Sequence, residues 1–169
     1  ENRKGVILQG HLDMVPQKNS DTEHDFDNDP IDAYIDGEWV TATGTTLGSD
    51  NGMGVAAAMA VLEATDLEHG PVEALFTIDE ETGMTGAEGL KGGLMDAKVM
   101  LNLDTEEDDE LVIGCAGGIN VTSEGTYEEE ALDGDYTFYQ IKVSGLKGGH
   151  SGLDIHLGRA NASKLMNRF

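Results

Sequence analysis

The chain has 169 residues, 38% of them hydrophobic, and sets 33 acidic residues against 10 basic ones for a formal net charge of −23. That length accommodates about one domain with a real core, and no apolar run approaches the roughly 18 residues of a membrane span. The acidic balance excludes a nucleic-acid surface, because phosphates need Lys and Arg. One cysteine, Cys115, has no partner for an internal disulfide and favours a reducing, cytoplasmic setting. A start at Glu1 without Met, and an end at Phe169 inside a helix-like segment, read as a piece of a longer protein.

The first element is a buried-strand pattern, GVILQGH, which stops at His11 and is followed by Asp13 in GHLDMVP. Next, DFDNDP spaces Asp25, Asp27 and Asp29 as the first ligands of a calcium loop are spaced, with Asp36 at the twelfth position. Pro30 occupies the sixth position, where the loop needs Gly, so a calcium-binding module is the weaker alternative. AYIDGEWV carries a hairpin signal at Asp36-Gly37 and is expected to cover one edge of the main layer. TTLGSDNGMGVAAAMAVLEAT then turns on glycines and enters an Ala- and Met-rich helix, with Asp50 as the expected N-cap.

A second apolar run, VEALFTIDEE, ends in Asp79, Glu80 and Glu81; GAEGLKGGLMDA reads as a shorter helix; a third run, KVMLNLDTEE, ends in Asp104. Near-continuous apolar strands alternating with helices predict an α/β layer with a mainly parallel sheet, its strands buried on both faces. Ligands of such sheets sit at the carboxyl ends of the strands, and all three runs carry their acids or imidazole there. Beyond Cys115 the pattern changes. INVTSEGTYEEEALDG and YTFYQIKVSGL alternate as half-exposed antiparallel strands do, and GRANASKLMNRF reads as a helix. Residues 1–117 are therefore expected to form one domain, and 118–169 to begin a smaller α+β one.

Singly, each acid at these strand ends has an ordinary reading as a cap, a turn residue or a solvated charge. Together, His11, Asp50, Glu81 and Asp104 converge on one rim of one sheet. Imidazole and carboxylates suit Zn²⁺, Mn²⁺ or Co²⁺. Adjacent carboxylates at Glu80-Glu81 repel unless a cation or a proton lies between them. Asp13 stands two residues from His11, on the same strand face, where it can accept the second ring N–H of a ligating imidazole.

GHLDMVP, TTLGSDNGMG, DEETGMTGA and LNLDTEE, in this order and continued by GCAGG and GLKGGHSG, resemble the M20 metallopeptidases. The resemblance implies metal-dependent hydrolysis of dipeptides, Xaa-His dipeptides included, by a zinc-exopeptidase-like domain that carries two Zn²⁺ per full-length chain, with Co²⁺ or Mn²⁺ as substitutes. It assigns His11 and Asp104 to one ion, Asp50 as the bridge, Glu81 to the other ion and Glu80 as general base. Asp13 orients His11. Residues 1–117 become part of the catalytic domain and 118–169 part of a lid or dimerisation domain, in which His150 holds the substrate carbonyl and through which a homodimer can form. The implied partner is a dipeptide, with neither nucleic acid nor membrane. The family's second metal set also includes a histidine after the lid; His24, His69 and His156 do not match it and read as surface or packing residues. A carboxypeptidase or amino-acid deacylase on the same scaffold, or an inactive truncated piece, are the alternatives.

Overall fold

Three parallel strands carry the chain's acidic rim. In the computed structural model, which describes residues 2–107, 109–115, 117–150 and 154–169, they are β1 (Val6–His11), β4 (Val72–Thr77) and β5 (Val99–Asn102). Their order is β4-β1-β5. β1 is central, pairing Val6 with Val72 through His11 with Thr77 on one side, and Val6 with Val99 through Gln9 with Asn102 on the other. Ile7 and Leu8 are accordingly buried, at 5% and 7% exposure. The chain leaves β1, returns beside it as β4, then crosses to its other side as β5. A crevice opens at the carboxyl ends of strands where the order reverses in this way.

The crossover from β1 to β4 contains α1 (Ser49–Glu63), which packs on both strands. Its buried residues are Asn51, Gly54 and Ala58, spaced three and four apart on one helical face. Small residues there bring the helix axis close to the sheet. Met53, Met59 and Leu62, on the rest of the helix, remain more than half exposed. Gly48, at φ 80°, is the N-cap, so Asp50 does not cap the helix; it lies in the first turn with non-helical backbone angles and its side chain is free to reach β1.

Several elements depart from the sequence pattern. The hairpin pairs β2 (Ala33–Asp36) with β3 (Trp39–Ala42), so its two connecting residues are Gly37 and Glu38, one position later than expected. Gly37 takes φ +63°, a value that favours Gly. The hairpin forms a two-stranded sheet of its own. α2 spans only Thr85–Glu88, because Gly89, Gly92 and Gly93 (φ +89°) follow immediately and lower the helix propensity of the rest. β5 is exposed along its whole length, since α1 packs mainly on β1 and β4.

By its contacts the chain divides into two compact units, Glu1–Gly117 and Gly118–Phe169. In the second, the described residues form a 3₁₀ turn (Ile155–Leu157) and α3 (Ala162–Met166), with the Asn161 side chain accepting the Lys164 N–H as a cap. The antiparallel strands expected over 119–134 and 136–146 are absent among the described residues. An alternating strand needs a ladder partner and a layer to cover its apolar face; Ile119, Val121, Phe138 and Tyr139 have neither, at 79–87% exposure. Ala116 of GCAGG and Ser151-Gly152 of GGHSG lie outside the described residues. No described helix is long and apolar enough to cross a membrane.

Candidate metal centre

His11 ends β1 with 1% of its surface exposed. Its Nδ1 lies 2.9 Å from the main-chain carbonyl of Asp13 and 3.4 Å from the Asp13 carboxylate. A carbonyl only accepts, so Nδ1 carries the proton and Nε2 a lone pair. That lone pair faces three more acceptors: Asp50 Oδ1 at 3.1 Å, Asp104 Oδ1 at 3.6 Å and Glu80 Oε2 at 3.9 Å. Four acceptors around one point call for a proton or a cation. Burial by itself depresses the His11 pKa, but Asp104, Asp50 and Asp13 together more than reverse this and hold it above 6.5.

The acids are placed by turns at the strand ends. Beyond β4 the chain reverses at Asp79, whose φ is +63° and whose carboxylate accepts the hydroxyls of Thr82 and Thr85. The reversal aims two consecutive main-chain N–H groups, of Glu80 and Glu81, at the Asp13 carboxylate, 3.1 and 3.0 Å away. Glu80 and Glu81 thus lie on a turn rather than a strand, and both can face His11. Asp13 therefore meets His11 chiefly through its main-chain carbonyl, and its carboxylate holds the Glu80-Glu81 turn.

Two sets of donor atoms gather within 4.8 Å of one another: His11, Asp50 and Asp104, and His11, Glu80 and Glu81. Burial, then the neighbouring charges of Asp50 and Glu80, raise the Glu81 pKa. Asp104 is raised by burial and by Asp50 and Glu80, against the opposing pull of His11. Such crowding of like charges is what a divalent cation relieves, and one imidazole with several carboxylates is a donor set that Zn²⁺, Mn²⁺ and Co²⁺ accept. A cavity of about 540 Å³, walled by Ile78, Met84, Leu90 and Met100, opens beside Glu80 and Asp104.

One residue in this cluster escaped the sequence reading. Asn51 is 4% exposed and touches the end of β1, the Leu103 carbonyl just past β5, and Asp104. The signal was present: Asn51 shares the helical face of Gly54 and Ala58, so a polar side chain was due on a packing face. His150 lies in the second unit, where its main-chain N–H donates to Asp154 Oδ2 at 3.0 Å. His24 packs edge-on against Phe26. Asp25, Asp27 and Asp29 turn on their own backbone, the Asp25 carboxylate accepting from the Asp27 N–H and the Asp29 carboxylate from the Asp25 N–H. That segment leads into β2 rather than lying between two helices.

A parallel sheet with an imidazole and acids converging at its carboxyl edge offers a donor set for divalent cations. The model of peptidase family M20/M25/M40 matches residues 7–155, and the chain belongs to that family. It is 56% identical over 169 residues to the cytosol non-specific dipeptidase of Escherichia coli (strain K12), covering 100% of this chain and 35% of that protein. Over 105 residues it is 36% identical to the uncharacterised protein YqjE of Bacillus subtilis (strain 168), covering 60% of this chain and 26% of that one. The crystal structure of aminoacylhistidine dipeptidase from Vibrio alginolyticus superposes with a TM-score of 0.68 at 51% identity, over 100% of this chain and 34% of that chain. The chain thus spans about a third of the length of the relatives it matches most fully.

Proposed function

We propose that the protein carrying this chain is a metal-dependent dipeptidase, active on Xaa-His dipeptides among others, working in the cytoplasm with two Zn²⁺ as its cofactor. The observation behind this reading is the His11 lone pair, surrounded by Asp50, Asp104 and Glu80 within 3.9 Å. In this reading His11, Asp104, Asp50 and Glu81 would hold the cations, Asp50 shared between the two, and the bound cations would supply Lewis acidity to a carbonyl oxygen and to water. Glu80 is the general base: one of its carboxylate oxygens takes the proton of the attacking water and passes it to the leaving amine nitrogen. Asp13 keeps Glu80 in place through the main-chain N–H groups of the turn. Residues 118–169 act as part of a lid and dimer interface, with His150 donating to the substrate carbonyl oxygen as charge develops there.

The test is Glu80→Gln in the full-length protein, assayed on a panel of Xaa-His dipeptides, other dipeptides and N-acyl amino acids. Turnover should fall by roughly 10²–10⁴-fold, the contribution of one positioned acid–base group, while zinc content stays unchanged. Substantial remaining turnover removes Glu80 from the role of base. Hydrolysis confined to N-acyl amino acids replaces the dipeptidase reading with that of a deacylase.

A further inference from the structure

The Asn51 side chain joins three segments that lie far apart in the chain. Its Nδ2 donates to the main-chain carbonyl of Leu103 at 2.6 Å and to Asp104 Oδ1 at 2.8 Å, and its Oδ1 accepts the main-chain N–H of His11 at 3.3 Å. The orientation of the amide follows from chemistry. A carbonyl and a carboxylate both need a donor, and a main-chain N–H needs an acceptor, so only one of the two amide flips satisfies all three. Both N–H donors are used, which is how a buried amide avoids its desolvation cost.

The seat around this amide is cut to fit it. A Cβ at Gly10 would collide with Asn51 Oδ1, and one at Gly54 would stand 2.5 Å from Oδ1 and 2.9 Å from Nδ2. Two glycines, one on β1 and one on α1, thus leave room for this side chain. The oxygen it grips, Asp104 Oδ1, is the one that faces His11 Nε2 at 3.6 Å.

We propose that Asn51 is a positioning residue of the metal centre: its carboxamide fixes the rotation of Asp104 and the distance from β5 to His11, and so sets the affinity and geometry of cation binding. This rests on the reading of the cluster as a metal site. A hydrogen bond from Nδ2 stops the Asp104 carboxylate from turning, and the bond to the His11 N–H holds the imidazole-bearing end of β1 at the same spacing. Partners of this kind behind a ligand typically contribute about 10–100-fold to metal affinity.

The experiment uses the full-length protein, metal-stripped and titrated with Zn²⁺ by calorimetry, with the Co²⁺-loaded form read by visible absorption. Asn51→Leu keeps the branched four-atom side-chain skeleton and removes both donors; Asn51→Ala empties the seat. Both should bind Zn²⁺ about 10–100-fold more weakly than the wild type and show a shifted Co²⁺ band, with a circular-dichroism spectrum unchanged. A folded Asn51→Leu variant with wild-type affinity and an unshifted Co²⁺ band overturns the proposal. Should neither variant fold, hydrogen exchange on the wild type decides: the His11 N–H, held by Asn51 Oδ1, should exchange more slowly once Zn²⁺ is added, and an equal rate with and without Zn²⁺ overturns the proposal. A wild type that binds no divalent cation refutes the metal-site reading itself, a result separate from the other two.

Discussion

The carboxylate of Asp13 binds main chain, and that sets what its removal does. With both its oxygens taken by the N–H groups of Glu80 and Glu81, Asp13→Ala leaves two part-buried donors without a partner. The expected loss is about 1–3 kcal/mol, read from urea unfolding. Burial tends to raise the Asp13 pKa, but the N–H groups of Glu81 and Glu80 outweigh it and hold it below 3.8. A depressed carboxylate stabilises the fold above its unfolded pKa, and that stability disappears as pH falls through the lower folded value. Acid titration of stability should therefore flatten in Asp13→Asn below about pH 4 relative to the wild type; identical acid limbs would remove Asp13 from this role. That Asp13 stands beside His11 was readable from two-residue spacing; that it meets the ring chiefly through its main-chain carbonyl was not. The grip on the Glu80-Glu81 turn was not, because it joins positions 67 and 68 residues apart.

At the scale of elements, the contact between α1 and the strands depends on what is missing from Gly54. A Cβ there would run into the main-chain carbonyl of Leu103 as well as the Asn51 amide. Replacing Gly by Ala inside a helix ordinarily stabilises by about 1 kcal/mol. Here the obstacle is backbone, which cannot rotate away, so overpacking at roughly 1–3 kcal/mol prevails. Gly54→Ala should lower the thermal midpoint, whereas Gly52→Ala, whose Cβ would meet nothing within 4 Å, should leave it equal or higher. The same scale shows where periodicity carries information and where it fails. The apolar runs of β1, β4 and β5 and the Ala-rich run of α1 were readable because each has a long, uninterrupted pattern. α2 stops after one turn since its glycines matter more than its leucines. The alternating segments after Cys115 carry a strand period, yet a strand also needs a neighbour, and periodicity is silent about neighbours.

For the whole molecule, the acids that crowd His11 govern how stability responds to cations and to pH. Glu81 and Asp104 titrate above their ordinary 4.5 and 3.8, and His11 above 6.5. Each binds its proton more tightly when folded. Their contribution is therefore complete at pH values below the unfolded pKa and is lost as pH rises through the folded value. Metal-free protein should lose thermal stability as pH rises past the ordinary carboxylate values and on past that of histidine. Zn²⁺ should reverse the trend, because the ligands must shed their protons to bind it and binding strengthens as pH rises. At a free concentration of 100 times its dissociation constant, a cation that binds only the folded state adds about 2.7 kcal/mol. Scanning calorimetry with Zn²⁺ or with a chelator checks both slopes; parallel curves would refute the cation reading.

The sequence by itself determined that three apolar strands alternate with helices, that imidazole and acid end those strands, and that the family is M20. These are local facts, recorded in the spacing of neighbouring residues and the order of short motifs. Tertiary structure alone decided that β1 lies between β4 and β5, that Asp13 holds the Glu80-Glu81 turn, and that Asn51 bonds to both His11 and Asp104. Those contacts depend on the register between segments 40 to 93 residues apart, and register is set when the sheet and helix pack, not by any residue's neighbours in the chain.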